Sequence, residues 1–338
     1  MDLPSLSNGS SATVELVPQV GPDGRQLAIV LIKELFSIAE DNRLARTGGA
    51  EVRYSDELWD PEAEQSSIKL PSDICIRKPG TDVVIVGSAV GPGGVSVTEL
   101  DVFIRVGSVQ KALRVTGPRV WYKGMTGLTL TDPVPFEGLP LMWEHAFGGF
   151  DDSSDKVVEE PRNPVGKGVA ADASTLVHQP GPQIEDPADP IRSHKHRGAP
   201  AGVGAIGRHW EPRRSMTGTH DDFWMKERMP LPPLDQDERF HQAAAPGLIM
   251  TSHARGGELV ELNNVSAKGA IRFELPKLSF FVGALIDRKM TEFRPALDTI
   301  VIRPSDDRTL ELTWRSAVPL PRPIRRCSAI QVHERRRI

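Results

Sequence analysis

From Glu99 to Val106 apolar and polar positions alternate strictly. Leu100, Val102, Ile104 and Val106 fall on one side, and Glu99, Asp101 and Arg105 on the other. Period two is the signature of a half-buried antiparallel strand. Gly107-Ser108 opens a turn, and Leu113 with Val115 starts the returning strand. Upstream, residues 27–32 form an unbroken apolar run that opens the segment 27–38. It fits a strand buried on both faces, with a buried helix as the rival assignment. Residues 82–87 read as a strand closed by a glycine, followed by a Pro92-Gly93-Gly94 turn. Downstream of Gly256, residues 258–262, 271–275 and 278–286 carry strand patterns. Residues 299–303 and 309–315 form a hairpin across Pro304-Ser305-Asp306-Asp307, with Leu310, Leu312 and Trp314 on one face. The expected fold is mainly β, a β-rich α+β chain of antiparallel sheets or a sandwich with a long Pro/Gly-rich layer of ordered loops.

Organisation follows from the same pattern. Residues 1–13 are Ser-rich and expected to be disordered. A single domain is expected over 14–320, with sheet portions at about 14–130 and 256–316 and a loop-rich middle over 131–255. A basic C-terminal tail is expected over 321–338. Residues 41–68 are polar and acidic and read as loop. The middle region holds many of the chain's 29 prolines, which helix interiors and central strands exclude. It also holds Trp143, Phe147, Phe150, Trp210, Phe223, Trp224 and Phe240, whereas disordered linkers are poor in aromatics. These loops are therefore expected to be ordered, pinned by aromatic side chains, with residues 151–160 as a mobile break.

Charge narrows the partners. The net charge of -4 does not indicate a general nucleic-acid surface. Acidic residues concentrate in 1–65 and arginines in 322–337, where Arg335-Arg336-Arg337 reads as a solvated terminus. Cys75 and Cys327 stand alone, without metal-ligand spacing. No signal-peptide pattern and no apolar run of membrane-spanning length occurs, so a cytoplasmic protein without membrane insertion is expected.

Candidate chemistry is sparse. His194 and His196, two residues apart, would face the same way on a strand, and His209 or His220 could complete a zinc or copper site. Lys195 and Arg197 oppose such a site. Glu144-His145 could supply a general base, although no nucleophile elbow accompanies it. The alternative is a packing cluster of Met142, Trp143 and Phe147. Asn163-Pro164-Val165-Gly166-Lys167-Gly168 lacks the first glycine and the Ser/Thr of a phosphate-binding loop. The sequence therefore indicates no catalytic residue and no cofactor.

Several segments, taken together and in order, resemble a bacterial family known as domain-of-unknown-function family 2169. They include residues 78–87, Arg119-Val120-Trp121, Glu144-His145-Ala146-Phe147-Gly148-Gly149, Asn163 to Gly168, Ile184-Glu185-Asp186-Pro187, Trp210 to Arg213, and Leu297-Asp298-Thr299 with Trp314. The resemblance implies a non-catalytic adaptor or chaperone of the type VI secretion system, whose partners are a secreted effector protein and the spike protein. Exposed aromatics are the usual anchors of such surfaces, which puts Trp143, Trp210, Trp224 and Phe223 forward as partner-binding residues. Two other readings stand beside this one. One is a metal-dependent hydrolase using His194, His196, His209 or His220. The other is a structural spike-associated or ligand-binding module.

Overall fold

The computed structural model describes residues 3–125, 127–305 and 307–335. Strand accounts for 42% of the chain and helix for 8%. Three sheets carry the fold. In the seven-stranded sheet the strands run Ile249–Met250, Thr81–Ile85, Ala296–Arg303, Thr309–Pro319, Gln26–Ile38, Thr13–Val20, and Leu44–Gly48 also pairs with Gln26–Ile38. Every pairing in it is antiparallel except that of Thr81–Ile85 with Ala296–Arg303. The five-stranded sheet is built on the predicted hairpin of Glu99–Val106 and Val109–Thr116. The four-stranded sheet pairs Ser5–Gly9 with Cys327–Glu334, followed by Phe280–Ile286 and Lys289–Phe293.

The longest apolar run is a strand and not a helix. Gln26–Ile38 lies in the sheet with both faces covered. Ala28, Val30, Ile32, Phe36 and Ile38 enter the main core shared with the other two sheets. Ile29 and Leu31 pack on the opposite face against Val17, Val52, Ile74 and Ile76. That second face is covered by residues that read as polar loop. Leu44–Gly48 pairs along Gln26–Ile38 itself, and Ile68 and Leu70, on a short strand paired with Glu57–Leu58, enter the main core.

Under this cover lies a row of polar residues in strict register. Thr13, Lys33, Thr313, Thr299 and Asp82 sit side by side across five strands. Glu311 and Arg315 flank the row on the same face of their strand. Lys33 Nζ reaches Asp73 at 2.6 Å and Glu311 at 2.9 Å. Arg53 grips Glu311 with both terminal nitrogens, at 2.6 and 2.9 Å. Arg315 donates to Asp298 at 2.6 Å and to the Asp73 carbonyl at 2.7 Å. Thr299 links Asp298 to Lys78, and Lys78 meets Asp82 at 2.8 Å. Lys33, Arg53, Lys78 and Arg315 thus balance Asp73, Asp82, Asp298 and Glu311. Lys33 and Asp82 are fully buried, and of the eight only Arg53 keeps appreciable contact with solvent.

Both chain ends differ from expectation. Ser5–Gly9 is a strand, parallel to Cys327–Glu334. Its side chains are exposed, so no apolar pattern marks it; it is held through its backbone. Cys327–Glu334 is an inner strand of its sheet, with Ile330 and Val332 fully buried. Arginines on both sides mask its short alternation. Arg336 and Arg337 of the basic tail, and Asp306 of the predicted turn, lie outside the described residues. Residues 151–160 fold back as a small hairpin, Phe150–Asp151 against Val158–Glu159.

Two outcomes follow from the buried charges. Asp298→Ala strands Arg315 without its carboxylate and is expected to cost about 3–5 kcal/mol in a denaturant titration. Glu311 is the pH-sensitive member. Burial pushes its carboxyl up, but the Arg53 hydrogen bonds and the charges of Lys33 and Arg53 prevail and leave it at about 2. A carboxylate depressed on folding stabilises above its unfolded value and loses that contribution as pH falls toward the folded one. About 3 kcal/mol should therefore vanish between about pH 4.5 and about pH 2. Glu311→Gln should flatten that part of the stability profile measured by denaturant titration at successive pH values.

Candidate partner-binding surface

The loop-rich middle is pinned by aromatics, but two of its tryptophans are turned inward. Trp143 and Trp210 are 2% and 1% exposed, and their rings meet edge to face at 6.0 Å. The Trp143 indole lies against Gly202, where a Cβ would come within 2.8 Å of the ring. Its Nε1–H donates to the Ala205 carbonyl at 3.0 Å. The small-residue stretch 201–207 is thus a bed for the tryptophan pair. Neither Trp143 nor Trp210 is available as a surface anchor, which corrects the expectation from sequence. For Trp210 a signal lies close by in the chain, in the glycine- and alanine-rich stretch 201–207; for Trp143 the same stretch lies too far along the sequence to be read locally.

The two glycine-containing motifs lock this layer together. The Asn163 side chain is buried and donates to the carbonyls of Trp143 and Phe147, both at 2.9 Å. Lys167–Gly168 pairs in parallel with Phe147–Gly148. At Gly148 a Cβ would sit 2.1 Å from the Asn163 carbonyl, so the close approach requires glycine. The resemblance to a phosphate-binding loop is therefore a structural clamp. Glu144 is likewise committed, accepting from the Ser67 amide at 2.7 Å and the Ser67 hydroxyl at 2.6 Å. His145 is held below its ordinary pKa by burial and by the Lys167 charge.

The four histidines proposed as metal ligands are not gathered. His196 contacts Asp189 at 3.0 Å, and His194 shares its loop. His209 is exposed and accepts from Trp210 Nε1 at 2.9 Å. His220 is exposed and meets the Trp224 ring edge to face at 4.5 Å. Among the described residues, no group of three or more His, Cys, Asp or Glu forms a metal-binding cluster.

Phe223 and Trp224 lie in a different setting. Phe223 precedes and Trp224 opens a short turn of helix, Trp224–Arg228, and the Asp221 carboxylate accepts from the Trp224 amide at 2.9 Å. Phe223 is 55% exposed, Met225 57%, Met229 61% and Leu234 74%. Trp224 is half-buried, its Nε1–H donating to the Leu231 carbonyl at 2.9 Å. Arg228 donates to the carbonyls of Pro22 and Pro232, both at 2.8 Å, and so ties the segment to the turn between Thr13–Val20 and Gln26–Ile38. A groove of about 490 Å³ runs between Pro230, Leu231 and Pro232 on one side and Pro18, Gln19 and Val20 on the other. Among the described residues, no charged one lines it. Thr13–Val20 is the edge strand of the seven-stranded sheet. The stretch 223–234, called the ridge below, thus carries four exposed apolar side chains in twelve residues and supplies one wall of the groove through Pro230, Leu231 and Pro232.

The two classes of aromatic should separate cleanly on substitution. Trp143→Ala is expected to cost about 3–5 kcal/mol of stability. The pair Phe223→Ser and Met229→Ser should each shift it by about 0.5 kcal/mol or less. Chemical denaturation of the three variants checks this.

No curated protein and no solved structure matches the chain. A family model matches residues 23–315, which takes in the loop layer, the ridge and the seven-stranded sheet apart from Thr13–Val20 and the end of Thr309–Pro319. The chain therefore belongs to the family described as an uncharacterized protein conserved in bacteria, DUF2169.

Proposed function

We propose that the protein is a non-catalytic adaptor that holds a secreted effector in the cytoplasm and delivers it to the spike of a type VI secretion system. Support comes first from the ordered set of segments resembling such adaptors. The observation that carries the reading on this chain is the ridge of Phe223, Met225, Met229 and Leu234. Exposed apolar side chains scattered singly are ordinary, but four within the twelve residues 223–234 are a concentration of the kind interaction surfaces carry. Methionine adapts to the shape of a partner, and phenylalanine brings large apolar area. A support that is already ordered loses little entropy on binding. The reading of a metal-dependent hydrolase draws no support from the scattered positions of His194, His196, His209 and His220.

Co-expression with the proteins encoded immediately beside it, followed by size-exclusion chromatography, tests the proposal. A stoichiometric complex that also retains the spike protein is expected. Phe223→Ser combined with Met229→Ser should weaken it by about thirtyfold or more, as loss of a hot spot of about 2 kcal/mol implies. A chain that elutes alone, or a complex indifferent to the double variant, contradicts the reading.

A further inference from the structure

A second surface lies away from the ridge, where the four-stranded sheet meets the end of the seven-stranded one. A cleft of about 1160 Å³ opens there. Leu297, Phe280 and Trp314 contribute apolar surface, and the latter two rings meet edge to face at 4.9 Å. Arg255, Arg294 and Arg335, all exposed, line the same cleft with His253. Among the described residues, no Asp or Glu lines it. In a chain with 45 acidic against 41 basic residues, an acid-free cleft with three arginines departs from the average surface.

Among the described residues, none of the three guanidinium groups takes part in an ion pair. Of the nearby acids, Glu334 is paired with Arg46 at 2.9 Å, Glu258 sits beside Arg255 and accepts from its backbone amide at 2.7 Å, and Glu292, on the strand Lys289–Phe293, is exposed. The Arg335 guanidinium lies 5.5 Å from the centre of the Phe281 ring. His253 donates from Nε2 to the Lys78 carbonyl at 2.9 Å, which leaves Nδ1 on the other side of the ring.

The backbone at the cleft is also open. Phe280 and Phe281 pair with Glu334 and His333 on one side. On the other side the neighbouring strand ends at Phe293, opposite Val282. An extended segment can add at such an edge through main-chain hydrogen bonds. The volume exceeds the range of about 300–1,000 Å³ usual for small-molecule pockets, which favours a peptide over a metabolite.

We infer that this cleft binds an extended acidic segment of a protein partner, with its carboxylates on Arg255, Arg294 and Arg335 and an aromatic or aliphatic residue toward Phe280 and Trp314. The inference rests on the adaptor reading and gives it a second contact of different chemistry. Charge-assisted, often bidentate contacts to carboxylate are what arginine supplies, and they confer register and specificity.

Fluorescence anisotropy with a labelled Asp/Glu-rich peptide carrying phenylalanine tests it, against the same peptide with lysine at every acidic position. The acidic peptide should bind and the lysine peptide should not. Affinity should fall with salt, as the screening length drops from about 10 Å at 0.1 M to about 3 Å at 1 M. Replacing all three arginines by glutamine should weaken binding by about tenfold or more; circular dichroism and a thermal melt establish that the variant is folded. Failure of the acidic peptide to bind, unchanged affinity in the variant, or tighter binding of single-stranded DNA would each overturn the inference. Co-purification separates it from the adaptor reading. A partner captured equally by wild type and variant removes the cleft and leaves the adaptor. A peptide that binds as expected while no partner is captured leaves the cleft and removes the adaptor.

Discussion

Charge buried on one face of the seven-stranded sheet is the constraint on which the fold depends. Lys33, Arg53, Lys78 and Arg315 must meet Asp73, Asp82, Asp298 and Glu311, because an ion left alone in that layer costs several kcal/mol. The partners come from opposite ends of the sequence, so the first quarter of the chain cannot settle without the last. A one-residue slip of Thr309–Pro319 would drive Glu311 and Arg315 into the apolar core and lift Leu310, Leu312 and Trp314 out of it. The charges add less to stability than an apolar layer of the same volume can; what they supply is a single register for the central strands. Asp82 extends that control to the loop layer by accepting from the Ala243 amide at 2.7 Å.

The loop layer turns that fixed sheet into a platform. Trp143 and Trp210, bedded on residues 201–207, and Asn163, bonded to two carbonyls of the Trp143–Phe147 segment, give irregular backbone the packing that strands obtain from a ladder. Arg228 then fastens the segment holding Phe223 to the turn beside the edge strand. Order of this kind lets four large apolar side chains stand in water without collapsing onto the body. The ridge and the arginine-lined cleft offer two chemistries, one apolar and one cationic, and requiring both would discriminate among partners more sharply than either.

Legibility in the sequence depended on whether a residue's environment was set by its neighbours in the chain. Glu99–Val106 and the hairpin around Pro304 are readable, because period two and a turn suffice. The polar face of Thr309–Pro319 reads as solvent-facing, yet Glu311, Thr313 and Arg315 are buried. Their cover comes from residues near 50–53, inside the stretch 41–68 that reads as polar loop, and from residues 73–78 just beyond it. Ser5–Gly9 carries no apolar signal at all, since only its backbone is used. Of the aromatic anchors proposed from sequence, Phe223 lies exposed and Trp224 half-buried, while Trp143 and Trp210 belong to the core. That division is made by glycine and alanine positions sixty residues away from Trp143 in the chain, and composition within a window does not reach so far.

Amide hydrogen exchange on the chain alone, and then in complex with the proteins encoded beside it, measures most directly whether this is a binding scaffold. The account predicts slowed exchange over 223–234 and at the edge near Phe280 and Phe281, with the buried charged strands equally protected in both states. Protection confined to other surfaces, or exchange identical in the two samples, would contradict it.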